Sequence, residues 1–347
     1  DEAELTVIGR WLTRRFLVRL LEVRFQIAAY LRSDPGVTDE VVAAPLFVTG
    51  APRSGTTVLF GVLDCDPALR APQGWELLRP VPPPRPENHP DVGRVMLADR
   101  ELRQMQTVVS ALEAIHEYGG SSPKECVSAM SLVFLSEEFT ARYHVPSYAA
   151  YLETADMRPA YEAHRLVLQL LQRRYRDVRW LLKSPVHLRS LPTLLEVYPD
   201  ARLVVTHRDP LKVLASVTSL VATLRWAHSD RVDFAELGRY HCDLYHGELD
   251  GLVVASQGAM LDPSRTYHGR YADFVSDPLA AVTKLYGHFG FALEPGVEAA
   301  MARFLAERPN GTHGPHDYAF ADLDLDYEEE RARFGPYQSW FGVPVER

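Results

Sequence analysis

The sequence predicts an α/β fold with an open, mainly parallel sheet flanked by helices. Short runs rich in apolar and β-branched residues occur at 46–48, 180–182 and 202–206. Each run ends in a glycine or polar turn, and each turn is followed by apolar periodicity typical of a helix. Repeated strand, turn and helix is the pattern of a parallel sheet covered on both faces.

The chain begins with a predicted helix over residues 4–31. Trp11, Phe16, Leu20 and Phe25 recur at helical spacing, and arginines stand between them. This pattern fits a helix that makes peripheral contact with a membrane surface. It also fits an arginine-coated helix packed on the rest of the fold, and this second interpretation is favoured.

The first predicted strand leads into a glycine loop with the sequence Gly-Ala-Pro-Arg-Ser-Gly-Thr-Thr over residues 50–57. The free N–H groups and the positive dipole end of the following helix predict an anion site, of the P-loop-like kind. The spacing of Gly50 and Gly55 matches a Walker A loop, but Thr56 stands where that motif requires lysine. The loop is therefore predicted to bind phosphate or sulfate through Arg53, and a structural turn is the alternative.

Residues 90–175 are predicted to form a helical insertion that builds the acceptor side of the site. Helical periodicity covers 92–116, 123–139 and 159–175. Before the insertion, the prolines between 80 and 86 predict a surface loop. Glu76, about twenty residues beyond the glycine loop, is a candidate to face the same cavity.

Two later strands also end in polar residues, and open α/β sheets bind ligands at the carboxyl ends of their strands. Lys183 and His187 follow the strand at 180–182, before a helix over 191–197. Arg208 follows the strand at 202–206, and Ser216 lies two turns into the next helix. Arg208 and Ser216 are predicted to hold a second phosphate.

The remainder of the chain predicts one more strand, over 265–271, and further helices over 234–254, 279–289 and 297–306. Residues 310–347 are predicted to be loop-rich, with an acidic run from Asp322 to Glu330. We expect one domain over residues 1–347, with an N-terminal helical segment at 1–40.

Composition limits the function. The formal charge of −9 over 347 residues argues against non-specific nucleic-acid binding. Three widely spaced cysteines without a CxxC pair predict a reducing, cytoplasmic compartment and no cysteine-based metal site. The longest uncharged runs fall short of the ~20 residues that a transmembrane helix needs.

The combined motifs resemble those of sulfotransferases that use 3′-phosphoadenosine 5′-phosphosulfate (PAPS), and most closely those of the bacterial sulfotransferase-like group. The resemblance rests on Pro-Arg-Ser-Gly-Thr-Thr at 52–57, on Arg208 with Ser216, and on Tyr-Ala-Asp at 271–273. Further matches are Trp-Glu at 75–76, Leu-Lys-Ser-Pro-Val-His-Leu at 182–188 and His-Arg-Asp-Pro at 207–210.

This resemblance implies transfer of a sulfonate by in-line displacement to a hydroxyl or amine of a small-molecule, lipid or polyketide-like acceptor, without a required metal. It implies that the donor is held by a set of eight residues: Arg53, Ser54, Gly55, Thr56, Thr57, Arg208, Ser216 and Tyr271. The implied catalytic residues are Arg53, Lys183 and a base, either Glu76 or His187. Arg331 and Arg333 are candidates to close over the 3′-phosphate.

Two other functions remain open at this point. A P-loop kinase or nucleotidase shares the loop and the fold, although the Walker lysine is missing. A non-catalytic nucleotide-binding protein of the same fold is the other alternative. The sequence leaves the acceptor and the oligomeric state undetermined.

Overall fold

The computed structural model describes residues 2–109, 119–175, 179–308 and 319–346. Five strands form one sheet: β1 (Leu46–Gly50), β2 (Leu69–Arg70), β3 (Arg179–Lys183), β4 (Arg202–His207) and β5 (Thr266–Arg270). Their order is β2-β3-β1-β4-β5, and each neighbouring pair is parallel. The predicted fold class is therefore confirmed.

Helices flank this sheet along the chain. They are α1 (Val7–Ser33), α2 (Thr56–Leu63), α3 (Gly74–Leu78), α4 (Val92–Val108), α5 (Val127–Met130), α6 (Glu138–Arg142), α7 (Pro146–Thr154), α8 (Arg158–Gln172), α9 (Leu191–Val197), α10 (Pro210–Trp226), α11 (Phe234–Gln257), α12 (Tyr271–Ser276), α13 (Pro278–Phe289), α14 (Pro295–Glu307), α15 (Tyr327–Arg333) and α16 (Gly335–Phe341).

The sheet is buried on both faces because its central strands are apolar throughout. Side chains alternate between the faces of a strand. Phe47 accordingly packs in a core that includes buried residues of α1, α8, α10 and α11, whereas Leu46 and Val48 pack with residues of α2, α13 and α14. Among the described residues, no helix combines the length and apolarity that crossing a bilayer requires.

The strand register brings the loops that carry polar residues to one edge. Val48 of β1 pairs with Lys183, the last residue of β3, and Gly50 pairs with Thr206 of β4. His207, at the end of β4, pairs with Arg270, at the end of β5. The residues that follow these strands therefore meet at the carboxyl edge of the sheet.

The secondary structure differs from the sequence predictions in three places. The expected helix over 123–139 is broken into α5, a 3-10 turn at Ser131–Val133, and α6. Phe134 ends that turn in the left-handed conformation, at φ 59°, which a helix cannot continue through. The two-residue strand β2 was not predicted, and the expected loop-rich tail contains α15 and α16 within residues 319–346.

Candidate active site

The glycine loop between β1 and α2 folds into a tight turn, which we call the cradle. Gly50 has φ 139°, and a Cβ there would collide with Thr206 of β4. Gly55 has φ 87°, and its Cβ would lie 2.9 Å from Cδ2 of Tyr271. Only glycine tolerates both the backbone conformation and the close approach. Ser54 fixes the loop, because its hydroxyl lies 2.5 Å from the Ala51 carbonyl oxygen and 2.6 Å from Thr206 Oγ1.

The first turn of α2 presents backbone N–H groups at the cradle. Thr56 begins this helix, and Gly55 at its N-cap has no side chain to bond the first amides. Free amides at the positive end of a helix are a binding site for a phosphate or sulfate group.

Two guanidinium groups meet beside the loop. Arg53, itself at φ 63°, donates from Nε to Ser216 Oγ at 3.0 Å. Arg208 donates from Nη1 to the Arg53 carbonyl oxygen at 2.8 Å, and its guanidinium lies 4.0 Å from the centre of the Tyr271 ring. Burial and then the nearby Arg208 charge lower the pKa of Arg53. A bound anion would relieve this cost of two neighbouring positive charges.

Lys183 reaches the loop from the end of β3. Its buried ammonium lies 3.1 Å from Thr57 Oγ1 and 2.5 Å from Glu125 Oε1. The Ser184 hydroxyl is 3.4 Å from the other oxygen of Glu125, and the Cys126 N–H donates to the Lys183 carbonyl oxygen at 3.0 Å. The middle of the helical insertion, at Glu125 and Cys126, is thereby fixed to the cation at the strand end.

Glu76 is buried, and its carboxylate is bound by Arg70 and by the backbone of Gln73. One carboxylate oxygen lies 2.5 Å from Arg70 Nη2, and the other accepts from the Gln73 N–H at 2.9 Å. Burial by itself raises the pKa of Glu76, but the His89 imidazole and the Arg70 charge outweigh it and hold that pKa below its usual range. In this arrangement Glu76 caps the start of α3 and forms an ion pair.

His187 lies in the 3-10 turn Pro185–Ser190 after β3 and is fully buried. Its Nδ1 is 2.9 Å from the Tyr161 hydroxyl, and its ring meets Phe47 edge-on at 5.0 Å. Burial, followed by the nearby His164, lowers the pKa of His187 to about 3. The imidazole is therefore neutral near pH 7, and its Nε2 has no hydrogen-bond partner among the described residues.

The predicted second-phosphate residue Arg208 is bound by a carboxylate. Nε and Nη2 of Arg208 each lie 2.9 Å from an oxygen of Glu346, and the Glu346 N–H donates to Asp209 Oδ2 at 2.8 Å. Arg331, one of the arginines expected to close the site, forms a two-point ion pair with buried Asp209 instead. The other, Arg333, pairs with Asp243.

A cavity of about 330 Å³ opens beside the glycine loop. Its lining includes Gly55, Tyr271 and Phe274, together with the polar residues His268 and Lys284. The cavity adjoins the ring of Tyr271, over which Arg208 lies. Among the residues that the structure describes, we find no group of three or more histidine, cysteine or acidic side chains arranged to hold a metal ion.

Comparison with known proteins identifies the family of this chain. The model of the sulfotransferase family matches residues 45–295 of the chain, from the start of the loop strand to the end of α13 and beyond. The chain belongs to the sulfotransferase family.

Mycobacterial members of the sulfotransferase family are similar over most of this chain. The chain is 31% identical to sulfotransferase STF1 of Mycobacterium tuberculosis, with a TM-score of 0.83 over 96% of this chain and 88% of that one. It is 28% identical to STF9 of Mycobacterium avium, with a TM-score of 0.87 over 99% of this chain and 88% of that one.

A curated relative from this sulfotransferase family is omega-hydroxy-beta-dihydromenaquinone-9 sulfotransferase Stf3 of Mycobacterium bovis. It is 29% identical over 274 residues, which are 73% of this chain. The chain spans 65% of the length of that relative.

The structure therefore joins most of the sequence-predicted residues into one contact network around the loop: Arg53, Ser54, Gly55, Thr57, Lys183, Arg208, Ser216 and Tyr271. Glu76 and His187 are held by other partners. The sequence did not predict the contact of Glu125 with Lys183 or the contact of Glu346 with Arg208. Both are distant in sequence from the residues they bind, so no local motif indicates them.

Proposed function

We propose that this protein transfers a sulfonate group from PAPS to a hydroxyl or amine of a hydrophobic acceptor. The observation that carries the proposal is the convergence of Arg53, Lys183 and Arg208 on one glycine loop at the carboxyl edge of the sheet. A donor with two separated anionic groups matches cations placed on two sides of the loop. Family membership supports the same reaction class.

The residues present fit this donor. The amides of residues 54–57 would hold the 5′-phosphosulfate together with the Arg53 guanidinium, which would exchange its bond to Ser216 for one to the anion, because both are hydrogen-bond donors to anions. Arg208 and Ser216 would hold the 3′-phosphate, and Tyr271 would contact the nucleoside beside the adjoining cavity. The uncapped start of α2 and the adjacent guanidinium groups favour the binding of an anion, because both are positively polarised or charged.

The donor supplies the sulfonate and departs as adenosine 3′,5′-bisphosphate (PAP). Arg53 and the loop amides stabilise negative charge that grows on the bridging oxygen, and such fixed donors act most strongly on the transition state. Lys183, held by Thr57 and Glu125, adds a buried positive charge at the same place. Since the leaving group is already a stable phosphate, the proposed reaction requires no metal.

A base must accept the proton of the acceptor. Glu76 and His187 are the candidates from the family resemblance, and geometry adds Glu125. Both carboxylates form ion pairs, but Glu125 is favoured because its side chain is partly exposed and its partner Lys183 contacts the glycine loop, whereas Glu76 is fully buried. Proton transfer to Glu125 would place the proton next to the Lys183 ammonium.

Substitution separates the candidate bases. Glu125→Gln should lower kcat by about a hundredfold or more, which is the usual contribution of a general base, with a smaller change in KM. Glu76→Gln should lower the melting temperature, because it removes half of a buried ion pair, and His187→Asn tests the third candidate. A normal kcat in Glu125→Gln together with a stable, inactive Glu76→Gln would return the assignment to Glu76.

We propose a lipid-like acceptor and a cytoplasmic location. The name of Stf3 specifies a hydroxylated menaquinone, and the insertion fixed to Lys183 by Glu125 carries the aromatic cluster of Phe134, Phe139 and Tyr148. The three cysteines, Cys65, Cys126 and Cys242, are free thiols, which suits a reducing compartment.

The direct test is turnover. The purified chain is incubated with PAPS and a panel of hydroxylated quinones, fatty alcohols and phenols, and release of PAP is measured by chromatography. We expect acceptor-dependent PAP release that Arg53→Ala reduces by about a hundredfold or more. ATP-dependent and magnesium-dependent phosphorylation of the same panel, without PAP release, would instead identify a kinase. Tight PAP binding without turnover on any acceptor would favour a non-catalytic binding protein.

A further inference from the structure

The N-terminal helix α1 has two apolar faces on opposite sides. One face packs into the protein through Gly9, Leu12, Phe16, Leu20, Val23 and Ile27. The other lies in solvent and comprises Val7, Trp11, Val18, Leu21 and Phe25, with Val7 85%, Trp11 50% and Phe25 74% exposed. At about 100° per residue these five side chains fall within a stripe roughly 80° wide, opposite the buried face. We call this stripe the outer face of α1.

Packing among the residues that the structure describes does not account for the outer face. Single exposed apolar residues are ordinary on protein surfaces. Five in one helical stripe, including a tryptophan and a phenylalanine, form the kind of contiguous patch that marks an interaction site.

The charge of α1 indicates what the patch meets. Residues 7–33 contain six arginines and one glutamate, a net charge of +5 in a chain whose formal charge is −9. Arg19 turns inward to Glu101, and the other five arginines are exposed: Arg10, Arg14, Arg15, Arg24 and Arg32. The stripe that bears Trp11 and Phe25 includes Arg14 and Arg32 and is bordered by Arg10 and Arg15, and this mixture of aromatic and cationic side chains matches the boundary between anionic headgroups and acyl chains.

We propose that the outer face of α1 docks the protein on the surface of an anionic lipid bilayer. The helix would lie in the plane of the membrane, with Trp11 and Phe25 at the acyl boundary and the arginines on lipid phosphates. A second copy of the chain is a poorer occupant, because a two-fold contact would bring two stripes of the same positive charge together.

The position of α1 in the fold connects this surface to the candidate active site. The Phe16 ring lies 5.6 Å from that of Phe139, and the Arg24 guanidinium lies 6.0 Å from the Phe134 ring. Both phenylalanines belong to the insertion, in which Glu125 and Cys126 contact Lys183. Docking would therefore place this part of the insertion directly behind α1, within one helix diameter, about 10–12 Å, of the phase in which a lipid acceptor dissolves.

Vesicle binding of the whole chain tests the proposal without donor or acceptor, so its failure would leave the proposed sulfotransfer untouched. Partition onto phosphatidylcholine vesicles with and without phosphatidylglycerol is measured by co-sedimentation. Trp11→Ala with Phe25→Ala should weaken binding at least about tenfold, since both side chains lose apolar burial. Arg14→Gln with Arg32→Gln should weaken it about 25-fold on anionic vesicles only, at about fivefold per arginine.

Matched controls keep the experiment decisive. Val254→Ala with Met260→Ala removes exposed apolar side chains elsewhere on the surface and should leave partition unchanged. Thermal unfolding followed by circular dichroism checks that each variant folds. Vesicles should shift tryptophan emission to shorter wavelength in the wild type, and Trp11→Phe should abolish the shift.

The proposal is overturned if the wild type ignores anionic vesicles or if Trp11→Ala with Phe25→Ala binds them equally well. It is also overturned if the wild type forms dimers that this double variant abolishes while neither protein binds vesicles, because the outer face would then belong to a second copy of the chain.

Discussion

Removal of the Glu346 carboxylate should strengthen donor binding. Glu346 forms a two-point ion pair with Arg208, the residue that we propose to hold the 3′-phosphate of the donor. A phosphate and a carboxylate cannot both take the same face of one guanidinium without strong repulsion. The donor must therefore displace Glu346, and the free energy of this ion pair is subtracted from the affinity.

The size of the effect follows from the exposure of the pair. The side chains of Arg208 and Glu346 are 20% and 27% exposed, so solvent screens much of their attraction. Exposed ion pairs are worth up to about 1 kcal/mol, and a two-point arginine–carboxylate pair lies at the upper end. Removing the competitor should accordingly lower the Kd for PAP by about fivefold.

Isothermal titration with PAP measures this directly on the wild type, Glu346→Gln and Glu346→Ala. Glu329→Gln, which removes the same charge from an exposed position on α15, is the matched control and should bind PAP as the wild type does. An unchanged or weaker affinity in both Glu346 variants would refute the placement of the 3′-phosphate at Arg208.

Two further outcomes test the loop and the buried histidines. Gly55→Ala should weaken PAP binding at least about tenfold, since its Cβ would meet Tyr271. Gly290 has φ 66° and open space around it, so Gly290→Ala should cost only the backbone strain of roughly 1–2 kcal/mol in thermal stability. Equal PAP affinity in both variants would contradict the steric reasoning. Burial lowers the pKa of His164 and of His187 to about 3, below the ordinary 6.5. Between these two pH values the unfolded chain binds more protons than the folded chain. The free energy of unfolding should therefore fall as pH drops from 6.5 towards 3, by up to about 1.4 kcal/mol per pH unit for each histidine. Urea unfolding at pH 7, 6 and 5 measures this slope, and a flat profile would mean that these imidazoles are not buried.

The sequence was sufficient to predict that the candidate site residues after the strands meet at one edge of the sheet. Arg53, Lys183, Arg208 and Tyr271 each follow a recognisable strand, and parallel strands bring their carboxyl ends to one edge. Their mutual contacts depend on the glycine spacing, which is local in the sequence, and on this register, which joins strands that are distant in the sequence. The order of the strands in the sheet could not be read in the same way.

The partners of those residues were beyond local prediction. Glu125 lies 58 positions from Lys183, and Glu346 lies 138 positions from Arg208. Contacts of this range depend on how the helical insertion and the tail pack. Glu76 was a candidate base because of the motif around it, but the same motif is also that of a helix cap. In the structure the Glu76 carboxylate accepts from the Gln73 N–H and caps α3.

The sequence of α1 also did not determine which of its apolar residues face the core. Periodic apolar residues indicate a helix with a buried face, but the same periodicity cannot tell one apolar face from two. The structure assigns Phe16 and Leu20 to the core and leaves Trp11 and Phe25 in solvent. The prediction of a packed helix and the proposal of a membrane-facing helix are therefore compatible, because each concerns a different side of α1.

The central claim is that the loop and Arg208 form a site for a 3′-phosphorylated adenosine donor, and titration with competing nucleotides tests it most directly. The wild type should bind PAP at one site, with at least about tenfold lower affinity for ADP, which lacks the 3′-phosphate, and Arg208→Ala should remove most of that difference. Equal affinity for PAP and ADP, or a preference for ATP with magnesium, would contradict the account.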